Sequence, residues 1–240
     1  MKIEILEETT KFPLQVMGKR AGVCWGAPLD DSQKNVKRAI SCIKSGHGRV
    51  MEYVDVEVVI SDVSARCLRE LYTHIGGSPT RLQASTRYIT EESGFGYYIP
   101  PKIENSEVCK EKYTEGMEKI QETYNFLMAN SATKEDAANV LPLGMNSKMV
   151  WKINLRALVN FMNRRLCMRA LKEIRDLANE LKKQLGEIND EWSWIAENLF
   201  VPTCEMYKYM NPALVFCPEA QCCGKHHKIA DIDEITFKEK

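Results

Sequence analysis

The chain has 240 residues and a mass of 27.5 kDa, with 44% apolar and 28% charged residues. These proportions are ordinary for a globular protein, so they exclude disordered and fibrous classes, and the length suffices for one domain with its own hydrophobic core. The 33 basic and 33 acidic residues cancel. This balance argues against broad binding to nucleic acid, while a local basic pocket for a small phosphate stays possible.

Membrane and secretion signals are not evident in the sequence. No apolar run approaches the roughly 20 residues needed to cross a bilayer, and the N-terminus MKIEILEETTKF lacks the apolar core of a signal peptide. We therefore expect no membrane partner and a cytoplasmic location. In that compartment the nine cysteines are expected to be mostly reduced thiols.

The first third of the chain, after a turn-rich start at 22–28, predicts a helix, a strand and a second helix. Apolar residues three or four apart are typical of an amphipathic helix, whereas strict alternation indicates a half-buried strand. A Gly-Gly pair at 76–77 stops the second helix. The three segments are DDSQKNVKRAISCIKSG (30–46), YVDVEVVI (53–60) and SARCLRELYTH (64–74).

The second half predicts mainly helices. A capping box at 133–136 opens a short helix before Pro142, and no repeat or long linker divides the chain. We expect a single domain over 1–240 with a Cys/His-rich tail at 201–240, and an α+β fold, with α/β as the alternative. The other predicted elements are a helix at 106–130, a strand MNSKMVWKI (145–153), one long helix over 154–185 and a short helix around Trp192 and Trp194.

The segment TRLQASTRYI (80–89) places Ser85 between Arg81 and Arg87. It follows the flexible stretch at 74–79. Because guanidinium forks bind phosphate through paired, charge-assisted hydrogen bonds, two cations around a small hydroxyl suggest an anion site.

Polar side chains also interrupt the predicted helix that begins near residue 154. Asn154, Asn160 and Asn163 fall within ten residues, although Asn favours caps and turns over helix interiors. Arg165 and Arg169 are four apart and would project from one side of a helix. These groups indicate either a ligand site or a solvated cationic face.

Several of these segments, taken in order, resemble the flavin-dependent thymidylate synthases. The resemblance spans roughly residues 20 to 200 and includes LQASTRY, which is similar to the family's Asn-Glu-x-Ser-x-Arg-Tyr signature. It implies that family's α+β fold, a mixed sheet flanked by long helices. The matching segments are GHGRVMEYVDVEVVISDVSARCLRELYTH, LQASTRY, VLPLG and INLRALVNFMNRRLCMRALKEIRDLA.

The resemblance also implies an activity. The enzyme would methylate dUMP to dTMP, with methylenetetrahydrofolate as the carbon donor and FAD as the flavin, reduced by NADPH. The resemblance further implies a homotetramer that binds nucleotide and folate, with sites shared between subunits.

Site residues follow from matching positions. Arg165 and Ser85 are the catalytic candidates: Arg165 would lie against the uracil edge, and Ser85 would hydrogen-bond the substrate, since LQASTRY supplies no base to activate a nucleophile. The expected substrate-binding residues are Glu70, Gln83, Ser85, Thr86, Arg87, Tyr88 and Arg165. The expected cofactor-binding residues are His47, Arg49, His74, Ser78, Asn154, Arg156 and Asn160.

Some positions depart from the family pattern. Glu70 and Gln83 exchange the family's usual amide and carboxylate, and Ala138 stands where an Arg commonly binds nucleotide. Thr73 and Ile75 replace the two arginines that flank the family's histidine, at His74. The departures leave two alternatives open: a relative with another pyrimidine substrate or one-carbon product, and a catalytically silent nucleotide-binding module.

A Cys/His cluster lies near the C-terminus. Zinc prefers four Cys or His ligands, often in closely spaced pairs, but no Cys-x-x-Cys pair occurs here. We expect reduced thiols and no metal, with a structural metal as the alternative. The cluster consists of Cys204, Cys217, Cys222, Cys223, His226 and His227.

Overall fold

The computed structural model describes residues 1–228, so residues 229–240 of the predicted tail lie outside it. The chain divides into two compact units. We call the first the sheet unit (1–4, 58–74 and 80–151) and the second the helical unit (5–57, 75–79 and 152 onward). The single-domain organisation stays a prediction.

Strands and helices follow the order expected from the sequence, with additions near the N-terminus. The strands are β1 (Lys2–Ile5), β2 (Asp55–Ser64), β3 (Thr80–Gln83) and β4 (Asn146–Asn154). The helices are α1 (Pro13–Cys24), α2 (Ser32–Lys44), α3 (Ala65–Tyr72), α4 (Pro101–Glu104), α5 (Glu107–Ala129), α6 (Lys134–Ala137), α7 (Leu155–Arg165), α8 (Lys172–Gly186) and α9 (Asp190–Asn198). Short 3₁₀ helices occupy Gly48–Tyr53, Ala138–Val140 and Thr203–Glu205.

The four-stranded sheet has the order β1-β2-β4-β3. Its two central strands alternate between buried and more exposed residues, as the sequence of β2 predicts: Val56, Val58 and Ile60 are fully buried. On β4 the buried residues include Met149 and Trp151. Strand β3 pairs on one side only and has four residues, so it leaves the segment after it at the edge of the sheet.

Side-chain caps set the starts of several helices in the sheet unit. Ser64 Oγ accepts a hydrogen bond from Cys67 N at 3.0 Å at the start of α3. Ser106 caps α5, and Thr133 Oγ1 accepts from Asp136 N at 3.1 Å to begin α6. A cap satisfies backbone donors that the first helical turn leaves unpaired. The predicted helices at 64–74, 106–130 and 133–136 are thereby confirmed.

Helices α1 and α2 pack closely in the helical unit. A Cβ atom at Gly18 would lie 1.9 Å from the carbonyl oxygen of Asn35, so only glycine permits this approach. The Glu191 carboxylate accepts hydrogen bonds from Leu14 N at 2.7 Å and Gln15 N at 3.1 Å, at the start of α1. Neither α1 nor β1 was predicted, because no side chain caps the start of α1 and β1 has only four residues.

The prediction of one long helix over 154–185 is wrong. Helix α7 ends at Arg165, and α8 begins at Lys172. In the connecting turn, Arg175 Nη1 donates to the carbonyl oxygens of Met168 at 2.7 Å and Ala170 at 3.2 Å. The guanidinium thus satisfies acceptors that would otherwise bond within a continuous helix.

The break changes the surroundings of the predicted cationic face. Arg169 lies in the turn and forms an ion pair of 2.7 Å with Glu219. Arg165 and Arg169 therefore do not share a helix face, which corrects the prediction from their spacing.

No helix within residues 1–228 combines the length and the apolar character needed to cross a membrane.

Candidate functional site

We call residues 80–89 the signature segment. Its first half is fixed to the edge of the sheet, where Ala84 N donates to Lys148 O at 2.8 Å and Gln83 Nε2 donates to Ser147 Oγ at 3.4 Å. The chain leaves the strand at this point. The residues that follow are consequently held by β4 while remaining accessible.

A turn forms the second half of the signature segment. The amides of Tyr88 and Ile89 both donate to Ser85 O, at 3.1 and 3.0 Å, and Ser85 Oγ accepts from Arg87 N at 3.3 Å. This local bonding fixes the serine hydroxyl beside the backbone of Arg87. A rigid turn of this kind is suited to orienting a small ligand.

Cations lie along the exposed side of this turn. The Arg87 side chain is 66% exposed, and its Nε lies 3.4 Å from Glu135 Oε2. Lys134 Nζ donates to Tyr88 O at 3.2 Å. An exposed ion pair contributes little stability, so an incoming anion can displace Glu135 from Arg87 at small cost.

Arg81 does not face this anion site. Its guanidinium stacks over the Tyr72 ring at 5.1 Å and donates to His74 O, and desolvation by burial lowers the pKa of Arg81. Arg81 Nε is buried without a hydrogen-bond partner among residues 1–228. The prediction that Ser85 lies between two guanidinium groups is therefore wrong, because Arg81 instead braces the loop that carries His74.

The predicted substrate residues other than Arg165 all belong to the sheet unit. Glu70 lies on α3 and is half-buried, and its carbonyl oxygen accepts from Thr73 Oγ1 at 2.7 Å. Thr86 is half-buried within the turn, and Tyr88 is 77% exposed. The members of this set are Glu70, Gln83, Ser85, Thr86, Arg87 and Tyr88.

The predicted cofactor residues, apart from His74, lie in the helical unit. His47 precedes the 3₁₀ helix at Gly48–Tyr53, and both His47 and Arg49 are exposed. A Cβ at Gly48 would lie 3.6 Å from Arg156 Nε, and Arg156 Nη1 forms an ion pair of 2.6 Å with Glu52. Arg156 therefore lies beside the 3₁₀ helix that follows His47, although it is 104 residues from Glu52 in the chain.

The start of α7 lies against the loop at 75–79. Asn154 Oδ1 accepts from Ala157 N at 3.0 Å, while Asn154 Nδ2 donates to Gly77 O at 3.4 Å. Gly77 has a φ of 74°, and a Cβ there would lie 2.6 Å from Asn154 Nδ2. Ser78, the next residue, has a φ of 49°. The asparagine thus both caps the helix and clamps the loop that contains Ser78.

Arg165 lies at the opposite end of α7. From Asn154 to Arg165 the helix rises about 16 Å, at about 1.5 Å per residue. Asn160 lies between them and is exposed, whereas Arg165 is half-buried and its neighbour Arg164 is exposed. The predicted site residues Asn154 and Arg165 are therefore separated by the length of α7.

Asn163 has a structural role that the sequence did not indicate. Its side chain is buried and its Nδ2 donates to the carbonyl oxygens of Val201 at 2.7 Å and Leu199 at 3.3 Å. The expectation that Asn163 serves a ligand is wrong, since its donor is used to attach the segment after α9.

Sequence reasoning missed the carboxylates that pair with the candidate arginines. Glu52 is 104 residues from Arg156 in the chain. Glu135 lies on α6, whereas its partner Arg87 lies in the turn of the signature segment. No local spacing connects such pairs. The capping box at 133–136 was visible, but its proximity to Arg87 was not.

Comparison with known proteins identifies the family. A family model described as thymidylate synthase complementing protein matches residues 5–189. A flavin-dependent thymidylate synthase of Clostridium tetani is 30% identical over 252 residues, which cover 94% of this chain and 94% of that protein. The chain belongs to the flavin-dependent thymidylate synthase family. The resemblance seen in the sequence is confirmed.

Other members of the flavin-dependent thymidylate synthase family agree. The enzyme of Nitratidesulfovibrio vulgaris is 32% identical over 199 residues, covering 78% of this chain and 74% of the relative. A crystal structure of thymidylate synthase X from Helicobacter pylori with FAD and dUMP has a TM-score of 0.62 at 21% identity. It covers 83% of this chain and 99% of that chain, which confirms the α+β fold.

Proposed function

We propose that this protein is an FAD-dependent thymidylate synthase that methylates dUMP to dTMP. The main support is the family match over residues 5–189, which includes the signature segment. In that segment, the turn that fixes Ser85 presents the exposed guanidinium of Arg87. The names of the relatives and the ligands of the Helicobacter pylori structure support the same activity.

The signature segment would bind the nucleotide. A nucleoside monophosphate carries about two negative charges near pH 7, enough to draw Arg87 from its exposed pair with Glu135. Lys134 supplies a second cation nearby, where Ala138 provides none. The Ser85 hydroxyl and the side chains of Glu70, Gln83, Thr86 and Tyr88 would form the remaining contacts in this proposal.

The flavin would bind along the basic surface of the helical unit. His47, Arg49 and Arg156 provide exposed cationic or hydrogen-bonding groups for its pyrophosphate, and the absence of a Cβ at Gly77 leaves backbone accessible beside Asn154. This donor set fits FAD. Reduced flavin supplies a hydride once bound, while Ser78, Asn160 and His74 would orient it.

Arg165 would act on the pyrimidine. Its guanidinium, permanently charged, would stabilise negative charge on the ring as C5 becomes nucleophilic. Ser85 would hold the substrate by hydrogen bonding. Methylenetetrahydrofolate is proposed as the carbon donor and NADPH as the reductant, in a cytoplasmic enzyme without a nucleic-acid or membrane partner.

The test compares two adjacent arginines. Purified protein with FAD, NADPH, methylenetetrahydrofolate and dUMP is expected to form dTMP. The Arg165→Ala variant should lower kcat by about 10²- to 10³-fold, while Arg164→Ala, at an exposed neighbouring position, should retain kcat. Failure of the native protein to bind flavin would overturn the proposal.

The pyrimidine preference is tested separately, because Glu70 and Gln83 depart from the family pattern. Competition between dUMP and dCMP for the flavin-loaded protein is expected to favour dUMP. Preferential binding of dCMP would replace the substrate assignment while leaving the flavin chemistry in place.

A further inference from the structure

Three short segments of the C-terminal region lie side by side in the helical unit. Phe216 N donates to Cys204 O at 3.1 Å, and Cys217 N donates to His227 O at 2.7 Å. A parallel bridge also joins Cys217 to Lys228. These backbone bonds bring together thiols and imidazoles that the sequence separates by up to two dozen positions.

The first potential ligand group lies at one side of this arrangement. Single ligand atoms of Cys204, Glu205 and His226 all lie within 4.8 Å of one another. The Glu205 carboxylate is mostly buried, and its Oε1 accepts from Lys225 Nζ at 2.6 Å and lies 3.0 Å from His226 Nε2. A carboxylate bonded to one ring nitrogen orients an imidazole for metal binding through the other.

A second group is formed by two further thiols. Cys222 Sγ donates to His226 O at 3.3 Å, and Gly224 N donates to the same sulfur at 3.3 Å. Cys217 is joined to the same turn through its backbone bond to His227 O. Gly224 has a φ of 85°, which lets the chain turn back over the Cys222 sulfur.

Both groups line one cavity of about 380 Å³. The cavity lies within the helical unit, and none of its lining residues belongs to the predicted nucleotide or flavin sets. Cys204, Cys217, Cys222 and His226 line it together with Lys182 and Lys225.

We propose that this cavity is a structural zinc site, in which the metal draws Cys217 and Cys222 of the cavity wall to Cys204 and His226, so that these four residues are its ligands. Zinc favours four nitrogen and sulfur ligands in a tetrahedral arrangement. Three thiolates with one neutral imidazole give the bound dication a net charge of about −1, assuming each thiol loses its proton on binding. Lys182 and Lys225 line the cavity, and their two positive charges balance the site together with the Glu205 carboxylate that pairs with Lys225.

The ligand choice distinguishes adjacent residues of the same type. Cys223 is exposed, whereas Cys222 is half-buried and its sulfur is bonded to the Gly224 amide and the His226 carbonyl. His227 contributes its carbonyl oxygen to Cys217, whereas His226 contributes its ring to the group around Glu205. Two of the four predicted ligands, Cys222 and His226, therefore have a matched neighbour that is predicted not to bind.

The first experiment measures metal content and coordination. Full-length protein is purified under reducing conditions, stripped with a chelator and titrated with Zn²⁺ or Co²⁺ alone. We expect one ion per chain, with cobalt showing intense visible bands of tetrahedral coordination and a thiolate charge-transfer band. Absence of stoichiometric binding, or an octahedral cobalt spectrum, would overturn the proposal.

The second experiment compares variants. Cys222→Ser and His226→Asn are expected to weaken zinc binding by about 100-fold or more. Removing a residue that only orients a metal ligand already lowers metal affinity by about 10- to 100-fold. Cys223→Ser and His227→Asn should bind as the native protein does. Equal losses of zinc affinity in both pairs of variants would refute the ligand assignment. A disulfide between Cys217 and Cys222, formed in the native chain when reductant is removed in the presence of zinc, would also refute it.

Metal binding also has a readout that does not depend on catalysis. Zinc should raise the Tm of the stripped native chain, because an ion that binds only the folded state stabilises it. It should leave the Tm of His226→Asn unchanged. An identical rise in both proteins would contradict a specific site, whatever the outcome of the thymidylate synthase assay.

Discussion

At the scale of single residues, the helix asparagines show how one residue type performs different tasks. Asn154 caps α7 and clamps Gly77, whereas Asn163 is buried and bonds two carbonyl oxygens after α9. Asn160 is exposed and remains a predicted flavin contact. Unusual polarity in a helix therefore indicates a constraint, which can be structural or functional.

Replacing Asn163 should destabilise the protein. In Asn163→Ala the buried carbonyl oxygens of Leu199 and Val201 lose their donor, so we expect the free energy of unfolding to fall by about 1–3 kcal/mol. Urea denaturation measures the change. Asn160→Ala, on the exposed side of the same helix, should alter it by no more than about 0.5 kcal/mol, and a comparable loss there would contradict the explanation.

Lys134 provides a functional prediction at the same scale. If it assists Arg87 in binding phosphate, Lys134→Ala should raise the KM for dUMP by about tenfold, equivalent to about 1.4 kcal/mol, with kcat little changed. Steady-state kinetics separate the two constants. Lys102→Ala, an exposed lysine on α4, serves as the control, and an unchanged KM in Lys134→Ala would exclude this role.

At the scale of elements, close backbone approach sets how α1 and α2 pack. Gly18 is buried in α1, with the Asn35 carbonyl where a Cβ would lie. Gly116 lies inside α5 with open space around its Cβ position. Two helix glycines thus have opposite structural meanings: one permits a contact and the other only weakens its helix.

Alanine substitution should therefore have opposite effects at these glycines. Gly18→Ala forces the helices apart, and we expect a loss of about 1–3 kcal/mol in the free energy of unfolding. Gly116→Ala should increase it by about 0.5–1 kcal/mol, because alanine favours the helix. Thermal or urea unfolding measures both. Stabilisation by Gly18→Ala would show that the close approach is unimportant.

At the scale of the whole molecule, exposed apolar side chains around the signature segment support the proposed assembly. Leu82 is 73% exposed and Tyr88 is 77% exposed. In addition, the chain carries no net charge that would make copies repel one another. Apolar groups concentrated near a site indicate a surface covered by ligand or by another subunit.

We accordingly expect a homotetramer in solution. Light scattering after size exclusion should give a mass about four times the 27.5 kDa of one chain. The Leu82→Glu variant should shift the distribution toward smaller species, since a charge in an apolar interface is costly. A native mass of one chain at micromolar concentration would contradict the prediction.

Local chemistry let the sequence determine much about this protein. Apolar alternation identified β2, the helical spacing of apolar residues identified α3 and α5, the capping box at 133–136 identified α6, and the ordered motifs identified the family. In the structure Ser64, Ser106 and Thr133 cap these three helices. Each of the caps joins atoms three residues apart, so the information lies within a short stretch of chain.

Only the tertiary structure decided where the remaining polar groups point. It turned Arg81 onto Tyr72, ended α7 at Arg165, paired Arg156 with Glu52 and brought Cys204 beside His226. The physical reason is that partners far apart in the chain leave no periodic signal in the sequence. Their contacts exist only after burial of the core has placed the helices and strands that carry them.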